Sequence, residues 1–220
     1  QGRVPLLAGG TMLYFRALSQ GLAVLPAADP AVRAELEQEG AEQGWADMHR
    51  RLAELDPEIA AKIHPNDPQR IQRALDVLRL SGEKMSTLQR RQSSHQPDYR
   101  ILRIVACPQP RSVLHQRIEQ RFDRMIEEGF LDEMKSLYAR GDLRPEMPSM
   151  RCVGYRQAWN WLAGEIDYEE MRAKAVAATR QLAKRQLTWL RQENDALWYD
   201  PTLESLGNPV FEKVARFLDL

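Results

Sequence analysis

The stretch VPLLAGGTMLYFRAL, Val4 to Leu18, decides how the rest of the chain is read. An apolar run, two glycines, a threonine and an amphipathic segment predict a strand, a turn and a helix. Val4 to Ala8 is apolar throughout, which predicts a parallel strand buried on both faces. Met12 to Ser19 predicts the helix that follows. Strand, glycines and helix is also the outline of a phosphate loop. Such a loop needs Gly-x4-Gly-Lys-Ser/Thr, so that backbone amides wrap the phosphates and the lysine reaches the outer ones. No lysine follows Gly9-Gly10-Thr11. Two readings remain: a tight turn with Thr11 as helix N-cap, or a site residue at the carboxyl edge of a parallel sheet, where α/β folds bind ligands.

Moving outward, Gly21 to Pro30 is a connector, and the pattern is helical from there to Gln96. Leu36, Trp45, Met48, Leu52 and Leu55 fit a 3.6-residue period. Asp67-Pro68 is a helix start, with Ile71, Ala74, Leu75 and Leu78 on one face. RRQSSHQPD is a breaker-rich linker. YRILRIVACP predicts a second strand, and ALWYDP a late one. Helices are predicted over 112–126, 130–140, 149–162, 167–191 and 210–218. The fold class expected is α/β: a parallel-sheet core interrupted by an all-helical insertion. Domains are expected at 1–28 (core), 29–98 (helical insertion) and 99–220 (return to the core). Val4 to Ala8 has no earlier strand to pair with, so the chain is expected to be the C-terminal part of a longer protein.

The 220 residues carry 31 basic and 31 acidic side chains, a net charge of zero, which on average argues against nucleic-acid binding. The average hides segregation. Arg172 to Gln192 contains no acid, while Arg172, Lys174, Arg180, Lys184, Arg185 and Arg191 are all cationic. A neutral body with one basic helix results. No apolar run approaches the roughly 20 residues of a membrane helix. Cys107 and Cys152 lie far apart without metal-type spacing, which suits a reducing cytoplasm.

Three further segments could carry chemistry, each with a plainer alternative. In HPNDPQRIQRALDVLRL, Arg70 falls in a helix's first turn, where the dipole disfavours a cation. Gln69, Gln72, Arg73 and Asp76 share the face away from Ile71 and Leu75, either a contact surface or a solvated one. In SMRCVGYRQAWNWL, Arg151, Tyr155 and Arg156 surround Gly154, an arrangement suited to stacking on a base with phosphate contact. The alternative is a surface turn over Trp159 and Leu162. In TRQLAKRQLTWLR, Leu182, Ala183, Leu187 and Leu190 form a core face, and Arg180, Lys184 and Arg191 line another, an RNA surface or a solvated one.

Together, GGTMLYFRAL, HPNDPQRIQRALDV, MRCVGYRQ and TRQLAKRQLTWLR resemble, in order and spacing, the tRNA dimethylallyltransferases, or tRNA isopentenyltransferases, and the bacterial branch in particular. The resemblance covers essentially the whole chain. It implies a P-loop NTPase-like core with a helical insertion gripping the anticodon loop. It implies transfer of a dimethylallyl group from dimethylallyl diphosphate to N6 of adenine 37 of tRNA, with the base flipped into a channel. By this resemblance Thr11 lines the channel and Arg121 acts on the diphosphate side. The tRNA contacts implied are Arg33; Gln69, Arg70, Ile71, Gln72 and Arg73; Arg151, Cys152, Val153, Gly154, Tyr155 and Arg156; and Lys184, Arg185, Gln186, Leu187, Thr188, Trp189, Leu190 and Arg191. The family's phosphate loop, its general base and most of its Mg2+ and ATP-type nucleotide binding are implied upstream of Gln1, so the 220 residues alone are expected to be inactive. No metal ligand is expected within the chain, and a cytoplasmic monomer is expected. Rival readings are an adenylate isopentenyltransferase acting on free nucleotide, a non-catalytic RNA-binding module and a P-loop small-molecule kinase.

Overall fold

Three helices in the first half of the chain begin with the same two letters. Asp29-Pro30, Asp56-Pro57 and Asp67-Pro68 open α2 (Pro30–Gln43), α4 (Pro57–Ala60) and α5 (Pro68–Ser81). In each, the aspartate carboxylate accepts a first-turn N–H: from Ala31 at 2.7 Å, Ile59 at 3.3 Å and Arg70 at 3.2 Å. Proline at the first helical position forgoes an N–H that had no partner there anyway. The computed structural model describes residues 3–91, 99–203 and 207–218. The linker Arg90 to Asp98 lies outside them from residue 92 onward.

The remaining elements are α1 (Met12–Gln20), α3 (Trp45–Leu55), α6 (Met85–Arg90), β1 (Ile104–Ala106), α7 (Arg111–Glu127), α8 (Phe130–Tyr138), α9 (Tyr155–Leu162), α10 (Tyr168–Leu190), β2 (Leu197–Tyr199) and α11 (Gly207–Phe217). They form two units. One is Leu13–Tyr99; the other joins Gln1–Met12 to Arg100–Leu220.

The helical unit is built on the periodicity the sequence displays. Leu36 of α2, Met48 and Leu52 of α3, and Ile71, Ala74 and Leu75 of α5 meet in one core with Ile59, Ala60 and Ile63. Leu36, Met48 and Ile71 are wholly buried. Each such side chain contributes about 1.5–3 kcal/mol. Asp56 ties this core to α6, because its second oxygen accepts from the Ser86 N–H at 2.9 Å.

The other unit holds a two-stranded sheet in which β1 and β2 run parallel, with Ile104, Val105 and Ala106 opposite Leu197, Trp198 and Tyr199. The ladder extends past both ends: Leu197 N donates to Arg103 O, and Cys107 N to Tyr199 O. Parallel pairing requires a long crossover, and α7 to α10 provide it. Their own core gathers Phe122, Phe130, Met134, Ala158, Met171, Ala175 and Val176. Phe122 and Phe130 meet edge to face with centroids 5.8 Å apart.

Two expectations are corrected. Val4 to Ala8 is not a buried strand: the segment is unpaired, with Leu6 92 % exposed. A strand exists through its ladder, and among the described residues none runs beside this one. The helix expected from Ser149 begins instead at Tyr155, because Gly154 sits at φ +94°, outside helical space.

Candidate functional site

α10 starts at Asp167, whose carboxylate accepts from Glu170 N at 2.8 Å. Its five cations, with Arg191 at the C-cap, then divide into two groups. Arg172 forks onto Asp123 through Nε at 2.6 Å and Nη2 at 2.7 Å, and reaches Glu119 at 3.3 Å. Arg180 donates to the other Glu119 oxygen at 3.1 Å, and Lys174 pairs with Glu170 at 2.8 Å. The Arg172 guanidinium holds the Asp123 carboxyl below the usual carboxylate range. Lys184, Arg185 and Arg191 are exposed, and their side chains make no ion pair or hydrogen bond among the described residues. The helix's core face is also displaced from expectation. Met171, Ala175 and Val176 are buried, whereas Leu182 is 39 % exposed and Ala183, Leu187 and Leu190 are only partly covered. Only the first half of α10 has Phe122 and Phe130 to pack on.

The free half of α10 touches the glycine turn. Gln186 Nε2 donates to the Gly10 carbonyl at 2.9 Å. A Cβ at Gly10 would lie 2.4 Å from that nitrogen, so a larger residue there would displace the flexible end of Gln186 and break this bond. The Thr11 hydroxyl, exposed beside it, makes no hydrogen bond among the described residues. The N-cap reading is therefore not realised, and Oγ1 is left open. Gly10→Ala is expected to push the Gln186 amide aside and lower stability by about 0.5–1 kcal/mol, the net value of one exposed hydrogen bond. Thermal melts check this: Gln186→Ala should cost the same, and the double variant no more than either.

In the 151–156 segment, Gly154 N donates to the Gln157 side chain at 2.8 Å, closing the turn before α9. Tyr155 stacks at 5.9 Å from Phe130 and donates its hydroxyl to Glu133. That bond, then burial, pushes the phenol's pKa up. Arg151, Cys152 and Arg156 are exposed, Val153 is half-buried and Gly154 is buried. Arg121, on α7, is exposed with no ion pair among the described residues.

In the helical unit, Gln72 Nε2 donates to the Arg33 carbonyl at 2.9 Å, which joins two of the expected contact residues. Gln69 is exposed, and Arg70 leans on its own cap Asp67 at 3.3 Å. Ile71 is corrected: it is wholly buried in the core, so its side chain cannot meet a ligand. Asp76 is corrected too, being 0 % exposed rather than part of a solvated face. Arg73 covers it, donating to Asp76 Oδ2 at 2.6 Å and to the Pro26 carbonyl at 2.8 Å.

Sequence reasoning missed Glu119 and Asp123, the acids that engage Arg172 and Arg180, and placed Asp76 on a face without pairing it to Arg73. The only local signal was Asp76, three residues beyond Arg73. Among the described residues no three His, Cys, Asp or Glu side chains converge. The magnesium that the resemblance implies finds no such ligand set among the described residues. No described helix is long and apolar enough to cross a membrane.

The family model described as IPP transferase matches residues 1–193. The structure of the full-length tRNA isopentenylpyrophosphate transferase from Bacillus halodurans is similar at 31 % identity over 94 % of this chain, with a TM-score of 0.55. This chain spans 63 % of that protein's length. The tRNA delta(2)-isopentenylpyrophosphate transferase of Staphylococcus epidermidis matches at 27 % identity over the whole chain and 70 % of its own length, TM-score 0.57. A eukaryotic dimethylallyltransferase acting on tRNA matches at 26 % identity over 96 % of this chain and 55 % of its own, TM-score 0.70.

Proposed function

The chain belongs to the IPP transferase family, and from that premise we propose that it serves a transferase moving a dimethylallyl group from dimethylallyl diphosphate to N6 of adenine 37 in the tRNA anticodon loop. The observation that carries the RNA part is the division of α10: three cations satisfied by acids, and Lys184, Arg185 and Arg191 left for an outside anion. Acid-free cations on a neutral protein are the electrostatic footprint of a phosphate backbone.

Chemically, N6 attacks the allylic carbon, the C–O bond breaks, and diphosphate leaves with the bonding electrons. The N6 proton passes to a base outside this chain's assigned residues. Arg121 would stabilise charge developing on the diphosphate oxygens. Thr11, with its hydroxyl unengaged, would line the channel beside the flipped base. The exposed Arg151 and Arg156 flank the turn whose Tyr155 is fixed by Glu133, suiting a rigid platform for the loop. Gln72 and Arg73, held by Arg33 and Asp76, would set discrimination among loops. The protein would act as a cytoplasmic monomer.

The test is prenyl transfer to an anticodon stem-loop, with AMP as the control acceptor. Transfer to AMP alone would replace this reading with the free-nucleotide one. In salt titrations of tRNA binding, Lys184→Ala and Arg191→Ala should each lower the slope by roughly one unit and weaken binding. Gln72→Ala should leave the slope unchanged and lower kcat/KM. Parent slope and affinity in both cation variants would make α10 a solvated face.

A further inference from the structure

At the carboxyl end of the two parallel strands lies a cleft of about 100 Å³ whose lining includes Cys107, Arg111, Leu114, Leu187, Arg191 and Trp198. It is built from four separate segments: the exit of β1, the first turns of α7, the end of α10, and β2. Its chemistry is uneven. Leucines and an indole form the walls, and the two charged groups are both guanidiniums. Neither arginine has an ion pair among the described residues. The acid nearest by sequence to this edge, Asp200, is already engaged: it accepts from Gln109 N at 2.8 Å, Thr202 N at 2.9 Å and the Thr202 hydroxyl at 2.6 Å.

Two like charges brought to one small cleft repel, and no acid in the lining offsets that repulsion. The position of Arg111 adds to it. It is the first residue of α7, which has no acid in its first turn and no side-chain cap. There the helix dipole disfavours a cation and favours an anion. One anion in the cleft would answer both guanidiniums and the helix end together. The volume is well above the roughly 10–15 Å³ that one water needs, yet below the roughly 300 Å³ at which ligand pockets begin. It suits a single oxyanion group rather than a whole nucleoside. Carboxyl ends of parallel strands are where α/β folds bind such groups. Lys184 lies seven residues before Arg191, about two turns back on a similar face of α10.

We propose that this cleft is a phosphate subsite in which Arg111 and Arg191 clamp one phosphate group, carried either by the bound RNA backbone or by free diphosphate. The carrier's identity rests on the function proposed above; the clamp does not. Arg111 is the anion-binding residue that α10 alone does not supply.

The experiment titrates the purified protein with inorganic pyrophosphate and, separately, with a tRNA anticodon stem-loop, at one fixed salt concentration. Arg111→Gln and Arg111→Lys are compared with the parent, and thermal melts are run on all three. Arg111→Gln is expected to weaken at least one ligand by about tenfold, the loss of one charge-assisted contact, and Arg111→Lys to recover part of it. Removing a first-turn cation should leave the melting temperature unchanged or slightly raised, which a structural role for Arg111 would not. Weakening of the stem-loop alone assigns the phosphate to RNA; weakening of pyrophosphate alone assigns it to the diphosphate. If the parent binds the stem-loop and Arg111→Gln binds both ligands as the parent does, the subsite is wrong while the RNA-modifying function stands. If the parent binds neither ligand, both readings fall.

Discussion

Replacing Arg73 with methionine is expected to destabilise the helical unit by about 3 kcal/mol. Asp76 is wholly buried, and among the described residues its one charged partner is the Arg73 guanidinium at 2.6 Å. Its other oxygen has no hydrogen-bond partner among them. Removing the arginine would leave an uncompensated carboxylate in the interior, a change that typically costs about 3–5 kcal/mol. The low end applies because the Arg73 side chain keeps 28 % of its surface in water. The bond to the Pro26 carbonyl would be lost as well, freeing the connector before α2. Urea unfolding measures this directly. The double variant Arg73→Met, Asp76→Leu should recover most of the loss, because an apolar pair needs no compensation. A single-variant loss under about 1 kcal/mol would mean that Asp76 finds water or another donor. Any fall in tRNA modification by an Arg73 variant must therefore be read after its stability is known.

Arg121→Ala is the opposite case. It should lower turnover by about 100- to 1000-fold, the usual cost of one lost donor to developing charge, about 2–4 kcal/mol in the barrier. The melting point and tRNA affinity should stay near those of the parent. The reason is on the surface of α7: Arg121 is exposed and tied to no acid among the described residues, while Phe122 beside it fills the core. Steady-state kinetics with dimethylallyl diphosphate varied, and a filter-binding assay with tRNA, separate the two effects. Normal turnover with weak tRNA binding would move Arg121 from the diphosphate to the RNA.

The elements legible in the sequence were those written locally. Asp67 caps the helix it was expected to start, since an N-cap needs only the next three residues. The apolar runs before Cys107 and around Trp198 became β1 and β2. Val4 to Ala8 has the same composition and is no strand here, because pairing depends on a neighbour and not on the run itself. Asp76 looked solvated because its helix face is otherwise polar; only the connector and Arg73 folding over it make it interior. The division of α10 was equally hidden: Asp123 and Glu119 precede Arg172 by 49 and 53 residues. A cleft shared by four segments leaves no pattern in any one of them. The four motifs nevertheless pointed to the family that the comparisons bear out.

The pairing of Arg172 and Arg180 to α7 makes α10 a rod clamped along its first half. Its remaining overhang, Lys184 to Leu190 with Arg191 at the C-cap, is about 10 Å at 1.5 Å per residue, and Gln186 pins it once more to the backbone at Gly10. A short overhang held at both root and middle bends little. The backbone positions that carry Lys184 and Arg185, and Arg191 at the C-cap, are therefore held at fixed spacings, while their exposed side chains keep their rotamer freedom. If an anionic strand is what they meet, the helix itself would have little freedom left to lose on binding.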